Sequence, residues 1–305
     1  MKKFIIQALV FLVPILVLAF ILEITLRNIP NDYKFKKSQI QLEKESIKTL
    51  ILGSSHSLYG FNPEYFNEKA FNLAHVSQTI DLDYYMLEKY IEELPQLETV
   101  VMRLSYTTLH EQIGKTTEAW RLKDYNLYYN LNVSNKLKYQ SEILSVKLKN
   151  NTSRFKDYYL NDKKMITVDK SGWAFFDQEH SNEKMSVLGF AAARKHKAKD
   201  IKLVKKNVEF LEKIVKLCNK ENVNLLLITT PTHKRYRENL NKPQLETVLL
   251  AGEKMNNKYS NCRYFNLLDN QSFTDVDFYD ADHLNRYGAK KLSIIVDEFI
   301  SQPFN

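Results

Sequence analysis

The chain has 305 residues, 44 Lys and Arg against 36 Asp and Glu, and a net charge of +8. Two cysteines, Cys218 and Cys262, are too few and too isolated to define a metal site, and the basic balance comes with no nucleic-acid motif, which leaves nucleic acid the weaker partner for it. Beyond an N-terminal apolar segment about 260 residues remain, enough for one sizeable domain with its own core.

Lys2 and Lys3 lead into an apolar run from Phe4 to Leu26, interrupted only by Gln7, Pro14, Glu23 and Thr25. Its length matches the roughly 20 residues that cross a bilayer. The run exits through Leu22-Glu23-Ile24-Thr25-Leu26-Arg27 with no Ala-x-Ala-like cleavage site, so residues 1–27 read as an uncleaved signal anchor rather than a signal peptide or a buried core helix. Arg27, Lys34, Lys36 and Lys37 weaken the charge bias, yet a single span with two leading lysines normally leaves the following domain outside. Residues 28–47 are polar, contain Pro30, and read as a stalk.

Residues 49–57, Thr-Leu-Ile-Leu-Gly-Ser-Ser-His-Ser, form an apolar run that stops at a glycine and then presents small hydroxyl residues. Such a run predicts a buried strand that delivers a side chain to a sheet edge, and Ser55 is that side chain. A turn at Tyr59-Gly60-Phe61-Asn62-Pro63 precedes a second strand over 70–74, a helix over 80–94 closed by Pro95, and a third strand over 99–104. Exits of parallel strands share one edge, where ligands bind, so Ser55, Ser77 and Ser105 are expected to face one crevice. His75 also sits at a strand exit, where a structural hydrogen bond is the commoner role.

The pattern breaks between Leu109 and Ala191 into Tyr- and Asn-rich sequence. A structureless loop that long does not suit a compact domain, so an insertion at about 110–195 with its own helices is expected. Its stretch Lys170-Ser171-Gly172-Trp173-Ala174-Phe175-Phe176 supplies aromatics either for stacking on a sugar ring or for the insertion's own core. Arg194-Lys195-His196-Lys197-Ala198-Lys199, with Asp200, Lys202, Lys205 and Lys206, is a basic run suited to a solvated helix face, an anionic polymer or lipid headgroups. An amphipathic helix follows with Val204, Val208, Leu211, Val215 and Cys218 on one face.

A fourth strand over 224–230 is almost purely apolar, as a strand covered on both faces should be. A helix over about 244–259, a fifth strand over 263–268 and a last helix over about 285–301 complete a parallel α/β sandwich. Cys218 on a helix face and Cys262 at a strand start read as buried small hydrophobes, a disulfide between them being the other option. Before the last helix stands Asp280-Ala281-Asp282-His283-Leu284. A carboxylate three residues ahead of a histidine can orient its imidazole, which can deprotonate a distant serine. Asp280 is expected to face the ring, with Asp282 turned toward solvent or the next helix's N-terminus.

A strand running into Gly-x-Ser and an Asp-x-x-His-Leu before the last helix resemble the SGNH (GDSL-like) hydrolase superfamily. The resemblance is greatest to its membrane-anchored cell-envelope branch, which includes alginate O-acetylation and teichoic-acid D-alanylation proteins. It spans about 48–299 without the middle, and implies an SGNH-like three-layer sandwich over 48–305 with a sheet of about five strands. It also implies Ser55 as nucleophile, His283 as general base and Asp280 as its orienting carboxylate. Ser54 stands where the family has Asp, and the Gly-x-Asn-Asp block supplying an oxyanion asparagine is not visible. The Ser55 N–H and the Val76-Ser77 loop are then the oxyanion candidates, with Ser105 or Tyr106 replacing the asparagine.

These features lead us to expect an envelope-facing serine esterase or O-acyltransferase acting on acyl esters, acetyl foremost, of a cell-surface polysaccharide, with a multispan membrane O-acyltransferase as acyl donor. The alternative is a non-catalytic glycan-binding or scaffolding partner of such an acyltransferase. No cofactor and no metal are expected.

Overall fold

The computed structural model describes residues 1–176, 182–198 and 201–304. It divides into two compact units, one formed by Met1–Lys37 with Thr117–Thr167 and the other by Ser38–Thr116 with Val168–Asn305. In chain order the helices are α1 (Lys2–Asn28), α2 (Asp32–Glu43), α3 (Ser55–Gly60), α4 (Ile80–Tyr90), α5 (Leu122–Tyr128), α6 (Glu142–Ser145), α7 (Leu148–Tyr159), α8 (Asn182–Lys195), α9 (Leu203–Lys220), α10 (Lys234–Arg237), α11 (Lys242–Lys258) and α12 (Arg286–Ile300). Strands β1 (Thr49–Leu52), β2 (Ala70–Asn72), β3 (Thr99–Arg103), β4 (Asn224–Thr229) and β5 (Cys262–Asn266) form one parallel sheet in the order β2-β1-β3-β4-β5.

This is the α/β sandwich expected from the sequence. Its central strands are buried on both faces, which is why they read as apolar runs without alternation. Ile51, Val101, Leu226 and Ile228 share one core with Leu292 and Val296 of α12. By the pleat, Leu50, Leu52, Val100, Met102, Leu225 and Leu227 face the opposite side, where α9 packs on β4 and α4 packs on α9. Cys218 and Cys262 are buried free thiols, and burial pushes both up, Cys262 to about 12.

Two sequence expectations about organisation differ from the structure. The stretch 28–47, expected as a stalk, carries helix α2, and its Tyr33, Ile40 and Ile47 are buried. These few apolar residues sit at spacings that give even a polar segment something to pack. The insertion expected at about 110–195 is not one body either. Residues Thr117–Thr167 join the unit of α1, while Val168 onward belongs with the sheet. Tyr33 meets Tyr125 edge-on at 5.4 Å, and Asp32 accepts hydrogen bonds from the Thr167 N–H and hydroxyl at 2.7 and 2.6 Å. A buried ion cluster of Lys123, Asp124, Glu142 and Arg154 holds the same unit, with Glu142 accepting from Arg154 at 2.8 Å.

Strand β1 hands over to α3 within two residues. Gly53 makes this possible with φ of 123°, a conformation that side chains with a Cβ rarely adopt. A Cβ here would stand 2.4 Å from Ser57 Oγ and 3.5 Å from Arg103 Cβ. We predict that Gly53→Ala lowers unfolding stability of the solubilised chain by roughly 1–3 kcal/mol, from strained backbone plus overpacking. An unchanged denaturation midpoint would show that the turn relaxes without cost.

Candidate active site

Ser55 opens α3 at the carboxyl edge of the sheet, beside the end of β1. Asn72, the last residue of β2, ties α3 down by donating through Nδ2 to the carbonyls of Ser57 (2.9 Å) and Phe61 (2.8 Å). On the opposite chain end, Asn285 caps α12 by accepting from the N–H groups of Tyr287 and Gly288 at 2.9 and 3.1 Å. The loop before it is closed by the Tyr279 N–H donating to His283 O at 3.0 Å and by an antiparallel bridge between Phe278 and Leu284. Both loop ends are thus fixed, and the imidazole they carry inherits that position.

His283 Nε2 lies 2.9 Å from Ser55 Oγ. Its Nδ1 lies 3.0 and 3.1 Å from the two Asp280 oxygens. Asp280 Oδ1 also accepts from the Asp282 N–H (3.0 Å) and the His283 N–H (2.8 Å), so one carboxylate shapes the turn and aims the ring. With Asp280 accepting from Nδ1–H, Nε2 is left as acceptor for the serine hydroxyl. Ser55, His283 and Asp280, chosen from the sequence, are therefore brought together.

Asp282 departs from expectation. Rather than facing solvent, it is 6 % exposed and sits among three imidazoles: His56 Nε2 at 3.2 Å, His283 Nδ1 at 3.7 Å and His196 Nδ1 at 3.8 Å. Burial works against its charge, but the His283 charge foremost, and then the His56 hydrogen bond, outweigh burial and hold its pKa well below the usual carboxylate range. For His283 burial opposes the proton, and the carboxylates of Asp282 and then Asp280 overcome it, so the imidazole pKa is raised. The hydrogen bond is Asp280's, yet the larger field is Asp282's, because Asp282 keeps 7 % of its side-chain surface in water against 22 % for Asp280 and is less screened.

The neighbouring imidazoles stay neutral. Burial, and then the Arg103 charge, depress His56 well below 6.5, and burial depresses His196 to about 4. Arg103 ends β3, is 5 % exposed, and is lowered to about 10 by burial. Its Nη2 donates to Thr107 Oγ1 at 3.4 Å, and its Nη1 has no partner among the described residues. The buried negative charge of Asp282 and this buried positive charge accompany each other at one sheet edge.

The other sequence candidates have their own contacts. The His75 N–H donates to Gly53 O at 3.2 Å, which holds the 75–78 loop beside the β1 exit, and Ser77 in that loop has a left-handed φ of 61°. Ser105 is engaged within its own turn, its N–H donating to Thr108 Oγ1 at 2.8 Å and its hydroxyl 3.1 Å from the same atom. Tyr106 Oη accepts from the Asn241 N–H at 3.0 Å. Of the aromatic stretch, Trp173 is buried and donates to Tyr59 O at 3.1 Å, while Phe176 stacks on Tyr279 at 3.8 Å and meets Tyr59 at a tilt at 4.1 Å. Two of these rings stand beside His283, Tyr59 at 5.8 Å and Phe176 at 6.3 Å between centroids. In the basic run, His196 turns inward, its Nδ1 3.0 Å from Tyr236 Oη, whereas Lys199 and Asp200 lie outside the described residues.

His56, His196 and Arg103 were not singled out from the sequence. The available signals were weak: His56 directly follows the nucleophile candidate, and the Asp-x-Asp-His spacing offers a second acid. The expectation of no metal rested on scarce cysteines, but folding assembles one group with suitable ligand types. Donor atoms of His56, Asp282 and His283 lie within 4.8 Å of one another. Asp280 accepts from His283 Nδ1, and His56 Nε2 is paired with Asp282, so two of those nitrogens are already engaged.

No protein-family model matches the chain, and no curated protein matches it in sequence. Among solved structures, a Streptococcus pneumonia protein provisionally assigned as a platelet activating factor is similar at a TM-score of 0.45 and 10 % identity, over 88 % of this chain and 91 % of its own. A provisionally assigned acylhydrolase of Bacteroides fragilis is similar at 0.41 and 8 %, over 87 % and 95 %.

An imidazole resonance titration tests the electrostatics directly. His283 is expected to titrate above its ordinary 6.5 and to fall in Asp282→Asn, which removes the larger stabilising charge. Asp280→Asn, which removes both a hydrogen bond and a charge, should lower it as well. An unchanged titration in Asp282→Asn would show that the buried second carboxylate contributes nothing to the shift.

Proposed function

We propose that this chain is an envelope-facing serine esterase or O-acyltransferase that acts on acyl esters, acetyl foremost, of a cell-surface polysaccharide. The observation that carries the reading is the relay from Ser55 Oγ to His283 Nε2 at 2.9 Å and from Nδ1 to Asp280 at 3.0 Å. A serine hydroxyl is a weak nucleophile until a base removes its proton, and this relay supplies the base.

In the proposed reaction His283 Nε2 takes the Ser55 proton while Oγ bonds to the acyl carbon and the carbonyl electrons move to oxygen. The Ser55 N–H at the start of α3 and the backbone around Ser77 are the donors for that oxyanion. Collapse expels the donor alkoxide, which takes the proton from His283, and leaves an acyl-serine. A sugar hydroxyl or water then gives its proton to His283 and attacks, and Ser55 leaves with that proton. Negative charge on Asp280 and Asp282 favours the imidazolium in both halves. The Tyr59 and Phe176 rings beside His283, and the Tyr279 ring stacked on Phe176, offer apolar faces of the kind that stack on sugars.

Ser105 and Tyr106, the sequence candidates to replace the family's oxyanion asparagine, are engaged elsewhere, which favours slow hydrolysis. One such donor is worth about 3 kcal/mol in other enzymes. The same feature gives the glycan-binding or scaffolding alternative its support. We expect the purified chain, incubated with an activated acetate ester, to gain one acetyl on Ser55 by mass spectrometry and to pass it to a matching oligosaccharide faster than to water. Asp280→Asn should slow this on the order of a hundredfold or more, since the base loses its orientation. Absence of adduct and turnover in folded protein would favour the scaffolding reading.

Among the described residues α1 is the one helix long and apolar enough to span a membrane. We propose that it anchors the chain with the remainder outside. Protease added to intact spheroplasts is expected to digest the sheet unit of an uncleaved, membrane-sedimenting protein. Protection of that unit would place it on the cytoplasmic side and remove the envelope substrate.

A further inference from the structure

Within the unit of Met1–Lys37 and Thr117–Thr167, a belt of chain is bolted to the foot of α1. Glu23 accepts from Ser141 Oγ (2.7 Å) and from the N–H groups of Glu142 (3.0 Å) and Ile143 (3.1 Å). Arg27 donates to Gln140 O at 2.8 Å, Arg154 to Leu26 O at 2.8 Å, and Tyr159 Oη to Thr25 O at 3.1 Å. All six bonds fall between residues 23 and 27 of α1, where the exposed apolar run gives way to charge. Residues 136–160 are therefore held at the level where a spanning helix leaves hydrocarbon for headgroups.

What this belt exposes fits that level. Leu137, Leu144, Leu148 and Leu160 are 75, 56, 67 and 69 % exposed. Leu137 and Leu148 each stand inside a Lys-Leu-Lys triplet whose four lysines are exposed. Residues 136–164 carry eight basic against three acidic side chains, and the buried Glu142 among the acids is already paired with Lys123 and Arg154. Exposed leucines beside lysines whose stems reach outward are the composition of a segment lying in a membrane interface, with apolar tips toward acyl chains and ammonium groups on anionic headgroups. Single exposed leucines are ordinary on any surface, but four within one short belt against an apolar span are a continuous extension of it.

We propose that residues 136–160 form a collar seated in the headgroup layer of the bilayer, binding anionic lipid. The collar rests on the reading of α1 as a membrane span. It makes lipid contact through more than one helix, and it accounts for charges and leucines that the proposed chemistry does not use.

The test uses the full chain in phosphatidylcholine vesicles with or without phosphatidylglycerol, including lipids brominated high on the acyl chains. A fluorophore is placed at Leu137→Cys, Leu148→Cys, Leu16→Cys within α1, or Leu250→Cys on α11. Cys218 and Cys262 are 0 and 2 % exposed, so the introduced thiol labels selectively. Strong quenching is expected at 16, 137 and 148 and little at 250. The signals at 137 and 148 should grow several-fold with phosphatidylglycerol and lose that gain when Lys136, Lys138, Lys147 and Lys149 are changed to Glu. Quenching at 16 with none at 137 or 148 overturns the collar alone, and shielding of those labels from aqueous iodide would then indicate a protein occupant. No quenching at 16 overturns the span and the collar with it. Equal quenching with and without phosphatidylglycerol overturns the choice of anionic lipid, and quenching at 250 as strong as at 148 overturns the collar as a distinct surface.

Discussion

The turn at Gly53 sets the geometry on which the candidate site depends. Strand β1 must end and begin α3 within two residues, and a Cβ at Gly53 would crowd the Ser57 side chain in a backbone conformation that L side chains rarely adopt. That turn puts Ser55 at the first helical position, with its hydroxyl at the sheet edge and its N–H among the unsatisfied donors of a helix start. The Gly53 carbonyl then receives the His75 N–H, so the same turn also places the second loop of the crevice. A change at this glycine would displace the Ser55 hydroxyl, its N–H and the neighbouring loop together.

Around the serine the electrostatics are built from charges kept in balance rather than removed. Asp282 and Arg103 are both nearly out of water, a costly arrangement for either alone. Three imidazoles surround the carboxylate, and two of them are held neutral by burial, with His196 lowered to about 4. Protonation is thereby concentrated on His283, the ring that touches Ser55. Asp280 supplies direction through its hydrogen bonds, and Asp282 supplies most of the field. In the proposed reaction this division of labour stabilises the imidazolium without requiring one carboxylate to do both tasks.

Much of this was legible because buried parallel strands and their exits leave a plain trace. Apolar runs at 49–52, 99–103 and 224–229 and the punctuation after them gave the sheet, and Gly-x-Ser with Asp-x-x-His gave Ser55, His283 and Asp280. The roles of Asp282, His56 and His196 were hidden because they depend on packing between segments far apart in sequence, 226 residues for His56 with Asp282 and 40 for His196 with Tyr236. His196 lies in a lysine-rich run that by composition faces water, yet in the turn just after α8 it points inward to Tyr236. Likewise α2 was read as a stalk because its polar residues outnumber the few that bury it, Tyr33 and Ile40 among them. The division at Thr117 and Thr167 left no sign in composition, since the ion cluster of Lys123, Asp124, Glu142 and Arg154 looks in sequence like ordinary surface charge.

In the proposed reaction His283 activates Ser55 as a nucleophile, and a fluorophosphonate probe reports on that pair without any assumption about the natural substrate. We predict stoichiometric labelling of the full chain at Ser55, at a rate that rises with pH through a midpoint above 6.5, because His283 must shed its proton before it can accept one from the serine. Labelling should vanish in Ser55→Ala and fall sharply in His283→Ala. Folded protein that stays unlabelled across this pH range, or that labels at another residue, would contradict the proposed reaction.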